Sequence, residues 1–124
     1  MHDLFAGRDV DATSIPLEVI GPKPGAFAGS PVESAVVVHE DDHMEIGVWE
    51  CTPGSFPSAK DGISEVMQFV AGEATIVGED GALHEVGPGR LLFTPDGWRG
   101  TWHVRATVRK TFVIWKHPPE EAEG

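Results

Sequence analysis

One lysine stands where the sequence pattern favours an apolar residue. Lys110 interrupts the run RATVRKTFVIW, residues 105–115. Lysine is seldom buried without a partner. We hypothesise that Lys110 reaches into the interior and pairs with Glu65 or with an anionic group of a ligand, as an acid–base or carbonyl-binding group. The alternative is an outward lysine on an edge strand, where it protects the sheet against aggregation. The sequence leaves both open.

Two histidines lie four residues apart at the ends of the segment HEDDH, residues 39–43. On a helix, residues four apart share a face, and such a pair with carboxylates suits a divalent metal. The β-branched runs on both sides instead predict a hairpin, with this segment at its tip. We therefore expect a solvated turn here.

The residues that could do chemistry lie in a train of short predicted strands. Extended runs are predicted at 33–39, 44–51, 65–70, 74–77, 82–86 and 90–94. Turn sequences rich in glycine, proline and aspartate separate them, at a spacing of roughly 8–12 residues that is typical of a sandwiched or closed antiparallel sheet. The pattern predicts an all-β protein.

The turns and strands also resemble a known family. Glu65, six residues and Gly72, followed by Gly89, five residues and Pro95-Asp96-Gly97, resemble the two sequence motifs of the cupins. More narrowly, GVWECTPG at 47–54 and the residues after Pro95 resemble the cupin_3 group. That group is similar to the ureidoglycine aminohydrolase cupin domain and to the ethanolamine-utilisation cupins.

The resemblance implies an all-β, single-domain cupin, a double-stranded β-helix or jelly-roll barrel. We expect the barrel over residues 32–117, after an irregular N-terminal arm at 1–31 and before a frayed acidic tail at 118–124. The arm would lie across the barrel or on a second subunit. The family and the need to cover sheet edges predict a homodimer.

The resemblance also implies a metal site whose ligands are largely missing. Metal-binding cupins have two histidines, one residue apart, shortly before the glutamate, and a third three residues past the Pro-x-Gly. Here the window 56–62 contains no histidine, and the third position is Gly100. Only Glu65 remains, whereas the usual transition metals take three or more ligands. We expect no metal cofactor; the alternative is an atypical site drawing on Asp61, His39, His43 or His103.

Strand alternation predicts the side chains that line the barrel. If Glu65 points inward, as in cupins, Met67 and Phe69 share its side. The inward position of Gly100 in the family places Trp102 on the cavity wall. The predicted catalytic residues are Glu65 and Lys110, and the predicted substrate-binding residues are Trp102, Met67, Phe69, Trp49, Cys51 and, at the barrel mouth, Arg99.

The composition of the chain limits the classes of partner and the cellular compartment that we expect. The 124 residues form one domain, and twenty acidic against nine basic residues give a net charge of −11. This surface repels phosphate backbones and anionic membranes, so we expect neither nucleic acid nor membrane partners. A single cysteine excludes an internal disulfide framework, and the N-terminal residues show no signal peptide. The expected location is cytoplasmic.

The expected function is that of a small-molecule-binding cupin. We expect an enzyme of the isomerase, lyase or hydrolase type that acts on a small polar metabolite in a metal-poor cavity. The alternatives are a non-catalytic ligand-binding or accessory cupin and a metal-dependent cupin with atypical ligands. A polar cavity that holds Glu65 and Lys110 favours the first, and a cavity filled by Trp102, Met67 and Phe69 favours a non-catalytic role.

Overall fold

Nine strands account for most of the chain. The computed structural model describes residues 7–119, and within them no residue is helical. No segment of this range is therefore a helix able to cross a lipid bilayer. The strands, in chain order, are β1 (Glu18–Pro22), β2 (Ala28–Gly29), β3 (Val32–Glu40), β4 (Met44–Cys51), β5 (Gly54–Ala59), β6 (Ile63–Gly78), β7 (Leu83–Val86), β8 (Leu91–Thr94) and β9 (Arg99–Lys116). The all-β prediction is confirmed.

The long strands β6 and β9 form the spine of the fold. They pair antiparallel over their whole length, from Ile63 opposite Lys116 to Gly78 opposite Gly100. The other side of β9 pairs first with β5 and then with β4, and the other side of β6 pairs with β8 and then with β7. Strands β3 and β1 extend the sheet beyond β4, and β2 extends it beyond β5.

Both long strands bend near their middle, around Gly72. The pairing register shifts three times between Phe69 and Ala74. Gly72 has a φ of +88°, and a Cβ at this position would lie 2.1 Å from the carbonyl oxygen of Thr107. The bend brings the halves of the spine face to face, because Phe69 from one half and Trp102 from the other have ring centroids 5.8 Å apart. One core therefore lies between two layers of sheet.

The prediction of a turn at 71–73 is wrong. The segments 65–70 and 74–77 were expected as separate strands, but they belong to the single strand β6. The reason is that β9 continues to pair through the bulges, so a glycine that bends the chain need not end the strand. The predicted hairpin tip at 39–43 joins β3 to β4, although His39 and Glu40 still belong to β3. The turns predicted at 78–81, 87–89 and 95–97 also lie where strands are joined.

Part of the predicted N-terminal arm belongs to the sheet. Strand β1 pairs with β3, and the short β2 pairs with β5. Strand β5 itself was not predicted, because its sequence GSFPSA carries the glycine, proline and serine that are typical of loops. The first six residues of the arm, and residues 120–124 of the predicted acidic tail, lie outside the described part of the chain.

Candidate functional site

A cavity of about 210 Å³ opens into one half of the barrel. Three of its wall residues are lysines, although the whole chain has only nine basic residues. Two glutamates and several aromatic side chains complete a wall of mixed polarity. The described residues that line it are Ile20, Lys23, Ala35, Glu45, Trp49, Phe56, Ser58, Lys60, Glu65, Trp102, Lys110, Phe112 and Ile114.

Glu65 is held between two lysines inside this cavity. Lys110 Nζ donates to Glu65 Oε2 at 2.7 Å, and Lys60 Nζ lies 3.1 Å from Glu65 Oε1. The side chains of Glu65, Lys110 and Lys60 are only 5%, 7% and 9% exposed. Two ammonium groups thus share one buried carboxylate, and the cluster carries a net positive charge.

Lys110 points inward because of its place on β9. Alternate residues of this strand, Val108, Lys110 and Phe112, are buried, as strand periodicity requires. Lys110 pairs with Phe69 of β6 on one side and with Trp49 of β4 on the other. Strand β9 is therefore central, and the alternative of an outward lysine on an edge strand is wrong.

Burial and ion pairing act against each other on this cluster. Burial is the largest influence on Glu65 and would raise its pKa, but Lys110 and Lys60 together outweigh it and hold the pKa below its ordinary value. For Lys110, burial is again the largest influence and lowers the pKa, and the attraction of Glu65 does not restore it. Glu65 is thus kept as a carboxylate, and the neutral amine of Lys110 becomes easier to reach.

A second wall carboxyl behaves differently from Glu65. Burial, followed by the neighbouring Glu40 carboxylate, raises the pKa of Glu45. Along the cavity wall, three lysines thus face two glutamates.

Lys60 is the functional candidate that sequence reasoning missed. Its window, residues 56–62, was examined for histidines. The loop after β5 fixes Lys60, because its backbone N–H donates to the carbonyl oxygen of Trp98 at 2.8 Å and its own carbonyl accepts from the N–H of Gly97 at 2.7 Å. The sequence feature that could have pointed to Lys60 is its position, which lies in the window where a metal-binding cupin has histidines.

Aromatic rings form the apolar part of the wall, as predicted for Trp49 and Trp102. Trp102 stacks on Phe56, with ring centroids 5.8 Å apart, and meets Trp49 edge-on at 5.6 Å. Lys110 Nζ lies 4.5 Å from the ring centroid of Trp49 and 5.0 Å from that of Trp102. The indole N–H of Trp102 is buried and has no hydrogen-bond acceptor among the described residues.

Three predicted substrate-binding residues lie in the core instead of on the cavity wall. Met67, Phe69 and Cys51 share the inward face, as alternation predicts, but all three are fully buried and none lines the cavity. Met67 still contacts the cluster, since its Sδ lies 3.7 Å from Lys110 Nζ. Burial raises the pKa of the Cys51 thiol to about 11, which opposes formation of a nucleophilic thiolate.

Arg99 does not line this cavity either. Its guanidinium pairs with Asp61 at 2.9 Å on the surface. The residues considered for an atypical metal site are also dispersed: His39 bonds to Asp41 and His103 to Ser55. Between residues 7 and 119, no three histidine, cysteine, aspartate or glutamate side chains are grouped so that they could hold a metal ion.

Comparison with protein families decides the identity of the fold. The model of the EutQ-like cupin domain, the cupin_3 family, matches residues 38–112. The chain belongs to this family. The match spans most of the described strands, including those that carry Glu65 and Lys110, and the predicted recognition is confirmed.

Solved structures agree with the family. The Clostridium difficile EutQ protein has 20% identity and a TM-score of 0.62, over 70% of each chain. A Pseudomonas syringae DUF861-family protein of unknown function has 25% identity and a TM-score of 0.74, over 85% of this chain and 46% of its own. A predicted oxalate decarboxylase from Thermotoga maritima has 16% identity and a TM-score of 0.64, over 87% and 98%. These likenesses establish the cupin fold. No curated protein matches the chain.

The residues at the cupin metal position do not fit a metal ion. The glutamate of the family is present as Glu65, but both of its oxygens already contact ammonium groups, from Lys60 and Lys110. A divalent cation placed beside Glu65 would lie against two positive charges, and among residues 7–119 no three metal-ligating side chains are grouped to hold it. Lysine ammonium is itself a donor and cannot act as a ligand.

Proposed function

We propose that this cupin binds a small carbonyl-bearing metabolite and moves a proton on it with side chains alone. The cavity would accept the carbonyl or carboxylate oxygen at Lys110 and Lys60, and the carbon chain would lie on Trp49 and Trp102. The observation that carries this proposal is the buried Lys60–Glu65–Lys110 cluster on the wall of the cavity. A reaction of the isomerase or lyase type fits it best.

The two lysines still have donors to offer a ligand. An ammonium group has three N–H donors. The contacts of Lys110 Nζ with described side chains are to Glu65 and, more weakly, to Met67 Sδ. Lys60 Nζ contacts Glu65 and lies 3.4 Å from Ser58 Oγ. A ligand oxygen between the two groups would receive the remaining N–H donors.

The same arrangement suits removal of a proton next to a carbonyl. Negative charge then develops on the carbonyl oxygen, and an ammonium group held at that point lowers the barrier because it need not reorganise. In its neutral form, Lys110 is the candidate base, since burial already lowers its pKa. Lys60 would lie beside the oxygen, and Glu65 would keep both lysines in place.

The unpaired indole of Trp102 supports a polar guest. A buried N–H without an acceptor costs about 1–3 kcal/mol. Lys110 lies 5.0 Å from the ring of Trp102. A ligand oxygen in this region would provide the acceptor that the described residues do not.

Proton exchange provides the test of this function. Chelator-treated protein in heavy water would be incubated with short oxo acids, and nuclear magnetic resonance would follow deuterium uptake at the carbon next to the carbonyl. We expect exchange with the wild type and its loss, by at least about a hundredfold, in Lys110→Met. Lys116→Met is the matched control, because Lys116 lies on the same strand and pairs with Glu40 outside the cavity.

A non-catalytic binding role is the second candidate, and the packed rings of Trp49, Trp102 and Phe56 favour it. These rings line a cavity of about 210 Å³, which suits a small guest. Under this alternative, calorimetry would show binding that depends on Lys110, but no deuterium would be taken up. The exchange experiment therefore separates the two functions.

A further inference from the structure

A third lysine reaches the same cavity from the N-terminal segment. Lys23 lies between β1 and β2, where its backbone N–H donates to the carbonyl oxygen of Pro31 at 2.9 Å. Its ammonium lies 5.7 Å from the ring centroid of Trp49 and 5.1 Å from that of Phe56. This segment has no part in the cupin motifs, yet it places a charge on the cavity wall.

Lys23 is less firmly engaged than the inner lysines. Its counterion is Glu33, at 3.3 Å from Nζ to Oε1, and the same oxygen also accepts the indole N–H of Trp49 at 2.9 Å. The Lys23 side chain is 23% exposed, against 7% for Lys110. Lys23 therefore lies at the solvent side of the cavity, and Lys110 lies at its inner end.

The two ammonium groups are close enough for one short molecule to reach both. Lys110 lies 4.5 Å and Lys23 5.7 Å from the centre of the same Trp49 ring, so the two nitrogens are at most about 10 Å apart. Allowing for a hydrogen bond of roughly 2.8 Å at each end, only a few carbon atoms fit between them. The Trp49 indole would lie along that carbon chain.

We propose that Lys23 binds the carboxylate end of the ligand and thereby places its carbonyl at Lys110 and Lys60. The inference rests on the proposed function and names its substrate class: short oxo acids in which a carboxylate and a carbonyl are separated by few carbons. Lys23 is a specificity-determining residue in this arrangement. The singly charged oxo acid suits the cavity, because Glu65 already balances one of the two inner lysines.

Pairs of charged and neutral probes test this assignment. Calorimetry would compare pyruvate and levulinate with their methyl esters, which keep the carbonyl and lose the negative charge. We expect the wild type to bind one of the acids at least about tenfold more tightly than its ester, as a charge-assisted hydrogen bond implies. In Lys23→Met the preference should fall to less than about twofold, with ester affinity unchanged, whereas Lys23→Arg should retain most of it.

The outcomes distinguish this inference from the proposed function. A wild type that binds acid and ester equally, or binds neither, would overturn the role of Lys23, as would a Lys23→Met variant that folds normally and keeps the preference. Lys116→Met, which removes a charge away from the cavity, should keep the full preference. Lys23→Met could lose the preference for acid over ester while the wild type shows no proton exchange. That result would support the role of Lys23 in carboxylate binding and reject the catalytic proposal.

Discussion

Two carboxylates four residues apart form ion pairs that differ in burial: the pair of Asp61 is exposed and that of Glu65 is buried. Asp61 pairs with Arg99 at 2.9 Å on the surface, where the two side chains are 70% and 46% exposed. Glu65 pairs with two lysines inside the barrel, at nearly the same distances but with almost no exposure. Water screens the first pair, and the second pair depends on its own partners for solvation.

The difference shows which of the two pairs is a candidate for chemistry. A surface ion pair contributes about 0–1 kcal/mol and tolerates loss of either partner. A buried cluster is costly to assemble, and an apolar replacement of the same volume is often as stable. Burying three charges at Glu65 is therefore better explained by ligand binding than by stability. Four predictions test this contrast, beginning with ligand binding and continuing with stability.

The largest effect on ligand binding is expected in Lys110→Met. The substitution keeps an unbranched apolar chain of similar length and leaves Glu65 paired with Lys60. We expect oxo-acid affinity to fall by at least about tenfold, because a charge-assisted hydrogen bond is lost, while the cooperative unfolding transition remains. Calorimetry and urea unfolding measure the two properties. Undiminished binding would place the ligand elsewhere.

The loss of the central carboxylate is expected to reduce stability strongly. In Glu65→Gln, the ammonium groups of Lys60 and Lys110 lose their shared counterion inside the barrel. We expect a decrease of about 3–5 kcal/mol in the free energy of unfolding, as for other broken buried pairs. Urea denaturation gives the value, with Asp61→Asn as the matched surface control at about 0–1 kcal/mol. Equal losses in both variants would contradict the contrast.

Stability should also depend on pH through Glu65. Its pKa is lower in the folded than in the unfolded state. Its ion pairs therefore contribute in full above the unfolded value, about 4.3, and this contribution disappears as the pH falls through the folded pKa. We expect the stability difference between wild type and Glu65→Gln to be constant near neutrality and to shrink below about pH 4. A constant difference down to pH 3 or so would argue against an ionised Glu65.

The smallest effect is expected at Arg99. This residue was predicted to contact substrate, but its guanidinium pairs with Asp61 and does not line the cavity. In Arg99→Ala we expect a change of less than about 1 kcal/mol in unfolding free energy and no change in oxo-acid affinity. Calorimetry on the same probes decides the question. Weaker binding would return Arg99 to the site.

The sequence predictions and the structure differ most where pairing between distant segments overrides local sequence patterns. The turn predicted around Gly72 became a bend within β6, because β9 continues to pair beside it. Alternation placed Met67 and Phe69 on the correct face but could not tell the cavity wall from the core beneath it. Lys60 joined the site through backbone hydrogen bonds to a turn nearly forty residues further along the chain.

The sequence by itself determined the all-β class and the family, because strand periodicity, turn residues and motif spacing can be read along the chain. The inward direction of Glu65 followed from the resemblance to the family, and periodicity added that Met67 and Phe69 share its side. Only the tertiary structure decided that Lys110 lies on a central strand and that Lys23 and Lys60 join it around one cavity. Those contacts connect β9 with the loop after β5 and the segment between β1 and β2. The physical reason is that an ion cluster depends on distances of a few ångströms between segments far apart in the chain.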